Sequence, residues 1–202
     1  MALYCPQCGR RYFSGATTCL EEGAALAPDP RLQRAFGAIR LQRFVGEHRL
    51  GSLYRQAGAP DEDFLVFEGD AIDPRADFEA CVAELEKLQG ADFTHIVRAL
   101  AVGELQGLRF RVTPGLEGEP LAAAIEELEG PLPLPRALAV IVGVADALAE
   151  AHGRGVVHGA LSPEVIWLQD GPVLVEDFGV ARLLRPERLV GPPDGDPLEP
   201  SA

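Results

Sequence analysis

Apolar residues along this chain change spacing from segment to segment, and each spacing predicts an element. Between Gly37 and Val45, Ile39 and Leu41 alternate with polar neighbours and continue through Arg43 or Phe44, which predicts a strand of imperfect period. Phe64-Leu65-Val66-Phe67 is a continuous apolar run of strand length. From Asp77 to Gln89, Phe78, Cys81, Val82, Leu85 and Leu88 recur at helical spacing and predict a helix with one apolar stripe. Leu105 to Leu121 reads as two strands about a turn at Gln106-Gly107, then a hinge over Pro114-Gly115-Leu116-Glu117-Gly118, with Leu121 opening a helix. Proline-rich residues 130–135 introduce a long helix, Arg136 to His152, closed by Gly153 and Gly155. Ala137 to Ala149 is apolar almost all round, so this helix is expected inside a domain, covered on every side. A loop and two short apolar runs around Asp170-Gly171-Pro172 follow. Together these elements predict an α+β fold.

Residues 1–27 form a first unit with a chemistry of its own. Cys5-Pro6-Gln7-Cys8-Gly9 is a knuckle, two thiols two residues apart with a glycine that lets the backbone turn round a metal. Cys19 follows, and Glu22 stands where a second knuckle would place its other thiolate, before Gly23. The unit resembles a rubredoxin-like zinc ribbon with one thiolate replaced by a carboxylate, which implies Cys5, Cys8, Cys19 and Glu22 as ligands of a zinc ion. A unit this small has almost no core, so a metal is the expected staple. Pro28-Asp29-Pro30 marks a boundary; residues 28–36 are expected as a linker, 37–184 as the main domain, and 185–202 as a disordered Pro-, Gly- and acid-rich tail.

The main domain carries two ordered motifs, His158-Gly159-Ala160-Leu161-Ser162-Pro163-Glu164-Val165 and Asp177-Phe178-Gly179. They resemble the catalytic loop and the metal-binding motif of the bacterial eukaryotic-type Ser/Thr protein kinases, at that family's spacing. The resemblance covers residues 37–184. It implies a kinase-like amino-terminal lobe and a truncated carboxy-terminal lobe that ends shortly after Asp177-Phe178-Gly179. It puts Gly46-Glu47-His48-Arg49-Leu50-Gly51 at the glycine-rich loop, with His48 in place of the middle glycine. Thr113 falls at the gatekeeper position, and either Cys81 or Glu84 at the glutamate of the regulatory helix.

The family's chemical groups are missing from the matching positions. Ala160 stands for the loop aspartate that accepts the substrate's proton, Val165 for the metal-binding asparagine, Ser162 for the loop lysine, and Phe67 for the phosphate-pairing lysine. Phosphoryl transfer depends on positioned metal ions and fixed charge. The expectation is therefore a pseudokinase that is not an enzyme and acts as a protein-interaction or regulatory scaffold. The alternative is a residual nucleotide sensor in which Gly46, Gly51 and Asp177 hold what remains of an ATP and magnesium site; ATP and magnesium are otherwise not expected. Arg49 is either a displaced positive charge for that site or an exposed turn residue.

Composition changes this picture in two places. A net charge of −13 opposes general attraction to nucleic acid or anionic lipid. No apolar run is long enough to span a membrane, and Met1-Ala2-Leu3-Tyr4-Cys5 lacks the basic start and apolar middle of a signal peptide, so cytoplasmic residence is the expectation. The expected partner is a protein, or a second copy, bound across the face of the long helix formed by Val140, Val144 and Leu148, which the missing later helices would leave open.

Overall fold

The computed structural model describes residues 2–185 apart from 70, 91 and 129. Its first unit is a three-stranded antiparallel sheet of β1 (Leu3–Tyr4), β2 (Arg11–Tyr12) and β3 (Ala27–Pro28), with β1 in the middle. A six-stranded antiparallel sheet follows, built from β4 (Ala35–Phe36), β5 (Ile39–His48), β6 (Gly51–Gln56), β7 (Ala59–Phe67), β8 (Ala101–Leu105) and β9 (Leu108–Pro114), in the order β4-β5-β6-β7-β9-β8. Helix α1 (Phe78–Glu86) crosses one face. The lower part holds α2 (Leu121–Glu126), α3 (Leu134–Gly153) and a small antiparallel sheet of β10 (Glu119–Pro120), β11 (Ile166–Leu168) and β12 (Leu174–Val175). The tail expected from residue 185 lies, apart from Arg185, outside the described residues.

The run 64–67 explains the layering. Successive side chains of a strand point to opposite faces, and both faces of β7 are covered. Leu65 and Phe67 pack with Leu50, Phe78, Cys81 and Leu85 beneath α1. Phe64 and Val66 pack with Ala2, Phe36, Leu41, Phe44 and Tyr54 on the other side. Asp77 starts α1 by accepting a hydrogen bond from the Ala80 N–H at 3.0 Å, so the apolar stripe begins one residue after its cap.

Residues 28–36, expected as a linker, are packed into the sheet instead. Phe36 is buried in the core on the side away from α1, with Leu32 against it, and β4 pairs with β5. Asp29 is fully buried and accepts from Tyr54 Oη at 2.6 Å and from Arg11 Nε at 3.1 Å. A buried carboxylate with such partners fixes this segment in place.

Helix α3 departs from the expectation of complete cover. Val140, Gly143, Ala147 and Ala151 are buried, and Val144 and Leu148 pack against the core, so the face expected to be open is closed. Gly143 shows why: a Cβ there would stand 3.0 Å from the Val173 Cβ and 3.1 Å from His95 Nδ1. These small residues let the helix settle directly on the segment before β12. The open face is the opposite one, where Leu134, Leu138, Ile141 and Val142 are 70%, 52%, 62% and 56% exposed.

Candidate functional site

The hairpin between β5 and β6 brings His48 and Arg49 over the loop that carries Ala160, and Asp177 rises beneath them. Arg49 Nε donates to Asp177 Oδ2 at 2.6 Å, and Arg49 Nη1 donates to the Ala160 carbonyl at 3.0 Å. From β9, Arg111 Nη1 donates to Asp177 Oδ1 at 2.6 Å, with its other terminal nitrogen 3.7 Å from Glu176 Oε2. His48 Nε2 lies 3.5 Å from both Glu176 and Asp177. Trp167 Nε1 donates to Glu176 Oε1 at 2.8 Å. Two adjacent carboxylates are thus ringed by two guanidinium groups, an imidazole and an indole.

Burial and charge oppose each other here. Asp177 and Arg111 are almost completely buried. Burial alone would raise the Asp177 carboxyl pKa, but His48, Arg111 and Arg49 overcome it and hold it well below the usual carboxylate range. The same exchange runs in reverse at Arg111: burial works against its charge, and Asp177 and Glu176 restore it. Asp177 adopts a left-handed backbone with φ 66°, sparsely populated away from glycine, which the surrounding ion pairs hold in place. His158, below it, donates from Nε2 to the Glu176 carbonyl at 2.9 Å and meets the Phe178 ring edge-on; burial lowers its pKa.

The sequence-selected positions divide clearly. Phe67 is buried edge-on against Phe78, 6.0 Å between centroids, and fills core rather than facing the cleft. Val165 is buried, and its carbonyl accepts from the Glu176 N–H at 3.0 Å. Ser162 precedes the short turn Pro163–Val165. Ala160 contributes its carbonyl to Arg49. Cys81 lies in the core beneath α1, where burial pushes its thiol up to about 12, whereas Glu84 reaches outward to Arg182 at 2.9 Å. Arg49 is therefore not an exposed turn arginine. Arg111 was not singled out by the sequence pattern at all. It is the cross-strand partner of buried Leu65 and shares the face beneath α1, a placement that only the folded sheet creates.

A second constellation lies in the first unit. Cys5, Cys8 and Cys19 bring their sulfurs within 4.8 Å of one another. Tyr12 Oη is 3.1 Å from Cys19 Sγ, and the Glu22 backbone N–H donates to the same sulfur at 3.4 Å. Glu22 reaches the triad through this N–H, and its carboxylate is not part of the metal-competent group among the described residues. Three converging sulfurs, one of them receiving a backbone N–H, suit a soft-accepting ion such as zinc.

No family model matches the sequence. Among curated proteins, the serine/threonine-protein kinase PknH of Mycobacterium tuberculosis is 31% identical over 172 residues, which cover 81% of this chain and 26% of that protein. The serine/threonine-protein kinase PknE of Mycobacterium bovis is 28% identical over 158 residues, covering 76% of this chain and 28% of that protein. The chain thus spans roughly a quarter of the length of these relatives. Among solved structures, the PknI kinase domain of M. tuberculosis superposes with a TM-score of 0.65 at 24% identity, over 74% of this chain and 61% of that one. These relatives and neighbours support a bacterial eukaryotic-type Ser/Thr protein kinase family and a kinase fold. They also correct the expectation that the chain is not an enzyme. Its named relatives are Ser/Thr protein kinases, and its structural neighbours share the fold of a kinase domain. That expectation weighed four substituted positions; the comparisons weigh 74–81% of the chain.

Proposed function

We propose that this chain, allied by its relatives with the bacterial eukaryotic-type Ser/Thr protein kinases, serves as a regulatory protein-interaction module whose interlobe cleft is occupied by its own arginines. The observation that carries this reading is the pair of 2.6 Å contacts from Arg49 and Arg111 to Asp177. In the family, the aspartate at this position holds a magnesium ion against the nucleotide phosphates. Here both oxygens already accept charge-assisted hydrogen bonds, and Arg49 also ties the glycine-loop hairpin to Ala160. A magnesium nucleotide would have to displace an ion pair buried at both ends. Calorimetric titration with magnesium ATP should therefore give a dissociation constant weaker than about 1 mM, a free energy of about −4 kcal/mol. A micromolar constant in the wild-type chain would overturn the reading.

The open face of α3 supplies the interaction surface. Leu134, Leu138, Ile141 and Val142 form a contiguous apolar stripe, and such stripes on a protein surface mark association sites. Leu138→Glu combined with Ile141→Glu should abolish association and binding of an apolar dye while changing stability by less than about 1 kcal/mol, since both side chains are already exposed. Sedimentation and thermal melts read the two effects separately, and a monomeric wild-type chain that binds no dye would count against the surface.

The cysteine triad completes the proposal. Cys5, Cys8 and Cys19 would hold a zinc ion, which would cross-link the turns of a unit with little core of its own.

A further inference from the structure

The thiol triad and the cleft are joined by an unbroken run of polar contacts, and one guanidinium stands at its centre. Arg11 follows the Cys5–Arg10 turn, in which the Cys5 N–H donates to the Arg10 carbonyl at 2.8 Å and the Gly9 N–H to the Cys5 carbonyl at 2.9 Å. The Arg11 side chain is 8% exposed and has four partners. Its Nη1 donates to the Gly9 carbonyl at 3.2 Å, to Ser52 Oγ at 3.1 Å and to Glu68 Oε1 at 2.7 Å, and its Nε donates to Asp29. Arg11 therefore touches the metal-competent turn, the start of β6 and the end of β7 together.

From those partners a short series of contacts leads to the cleft. Ser52 donates to Glu68 Oε1 at 2.9 Å and pairs in register with Glu47 of the hairpin. The Glu68 backbone N–H donates to the Leu50 carbonyl at 3.0 Å, and the Leu50 N–H donates to His48 Nδ1 at 3.2 Å. His48 and Arg49 are the residues that close on Asp177. Arg31 holds Glu68 from the other side, Nη2 to Oε2 at 2.9 Å, so Glu68 has no room to shift independently.

We infer that metal in the Cys5, Cys8 and Cys19 triad is a regulatory ligand: through Arg11 and Glu68 it sets the closure of the His48–Arg49 hairpin on Asp177. This rests on the zinc reading of the triad. The physical basis is that a metal fixes the Cys5–Arg10 turn, which fixes the Gly9 carbonyl and the start of β2. Loss of the metal frees the turn and loosens the one side chain that both it and the hairpin share. Coupling between sites requires an element that both of them bias, and here that element is the Arg11 guanidinium.

The chain carries its own reporter, because Trp167 is the single tryptophan and its indole donates to Glu176 beside Asp177. The test uses the full chain, first analysed for zinc, then stripped with a chelator and reloaded. Metal removal should raise amide hydrogen exchange across residues 46–53 by roughly tenfold and shift Trp167 emission, and reloading zinc should reverse both. In Arg11→Met, which still binds zinc through the unchanged cysteines, chelation should leave exchange at 46–53 and Trp167 emission within roughly twofold of the loaded state. Should Arg11→Met not fold, Glu68→Gln carries the same comparison. Exchange changes confined to residues 2–28 in the wild type, or variants that respond to chelation as the wild type does, would overturn the coupling. Protein that takes up no zinc would overturn the metal reading itself, an outcome the elemental analysis separates from loss of coupling.

Discussion

Replacing Arg111 with methionine should lower stability by about 3 kcal/mol in chemical denaturation. The side chain is 3% exposed, so methionine can occupy most of its volume without leaving a large void. What it cannot do is neutralise Asp177, which is fully buried and would keep only Arg49 and His48. Removing one member of a buried ion pair typically costs about 3–5 kcal/mol because the remaining charge is left uncompensated; Arg49 at 2.6 Å puts this site at the low end. The cost should depend on pH in a definite direction. Asp177 has a folded pKa depressed below its reference of 3.8, so its contribution is fully present above that value and is lost as pH falls through the folded one. The gap between wild type and Arg111→Met should therefore be widest near neutrality and narrow below about pH 4. Adding Asp177→Asn to the variant should recover part of the loss at neutral pH, because it removes the stranded charge. An Arg111→Met protein as stable as wild type would mean that the carboxylates are held by Arg49 and His48 alone.

What could be read from sequence followed the physics of each segment. The run 64–67 announced a strand because no polar residue interrupts it, and its burial on both faces is what such a run requires. The stripe from Phe78 to Leu88 gave α1 and its buried face. Helix α3 was legible as a helix but not in its orientation: with apolar residues almost all round, periodicity names no face, and small size decided which side could approach the core. Gly143, Ala147 and Ala151 mark that side. The ion-pair lock escaped for another reason. Arg49 lies 128 positions from Asp177 and Arg111 lies 66, so neither pairing leaves a local pattern. In sequence Arg49 stood only as a displaced positive charge or an exposed turn residue, and Arg111 carried no mark at all. The first unit was read by its cysteines, which the structure brings together, while its attachment through Asp29 and Arg11 depends on contacts across the chain.

The two glycines at the ends of the glycine-loop hairpin should behave oppositely when replaced by alanine, although sequence resemblance gave them the same role. Gly51 has φ 151°, and a Cβ there would stand 2.0 Å from the Val66 carbonyl oxygen and 2.8 Å from the Glu68 N–H nitrogen. Both obstacles are backbone of the neighbouring strand, which cannot swing aside as a flexible side chain would. The β6–β7 register would have to open where Gly51 faces Phe67. That would strain the Glu68 N–H bond to the Leu50 carbonyl and disturb Leu50, Leu65 and Phe67 in the core beneath α1. Overpacking of this kind costs about 1–3 kcal/mol, with backbone strain in addition, so Gly51→Ala should lose about 3 kcal/mol or more. Gly46 meets the opposite case. Nothing lies within 4 Å of a Cβ built there, and its φ is not in the left-handed region. Gly46→Ala should change stability by no more than about 0.5 kcal/mol. Urea melts of the two variants decide it. If Gly51→Ala melts with the wild type, the close approach of β6 to β7 at the hairpin base is wrong, and with it the contact by which Glu68 reaches Leu50.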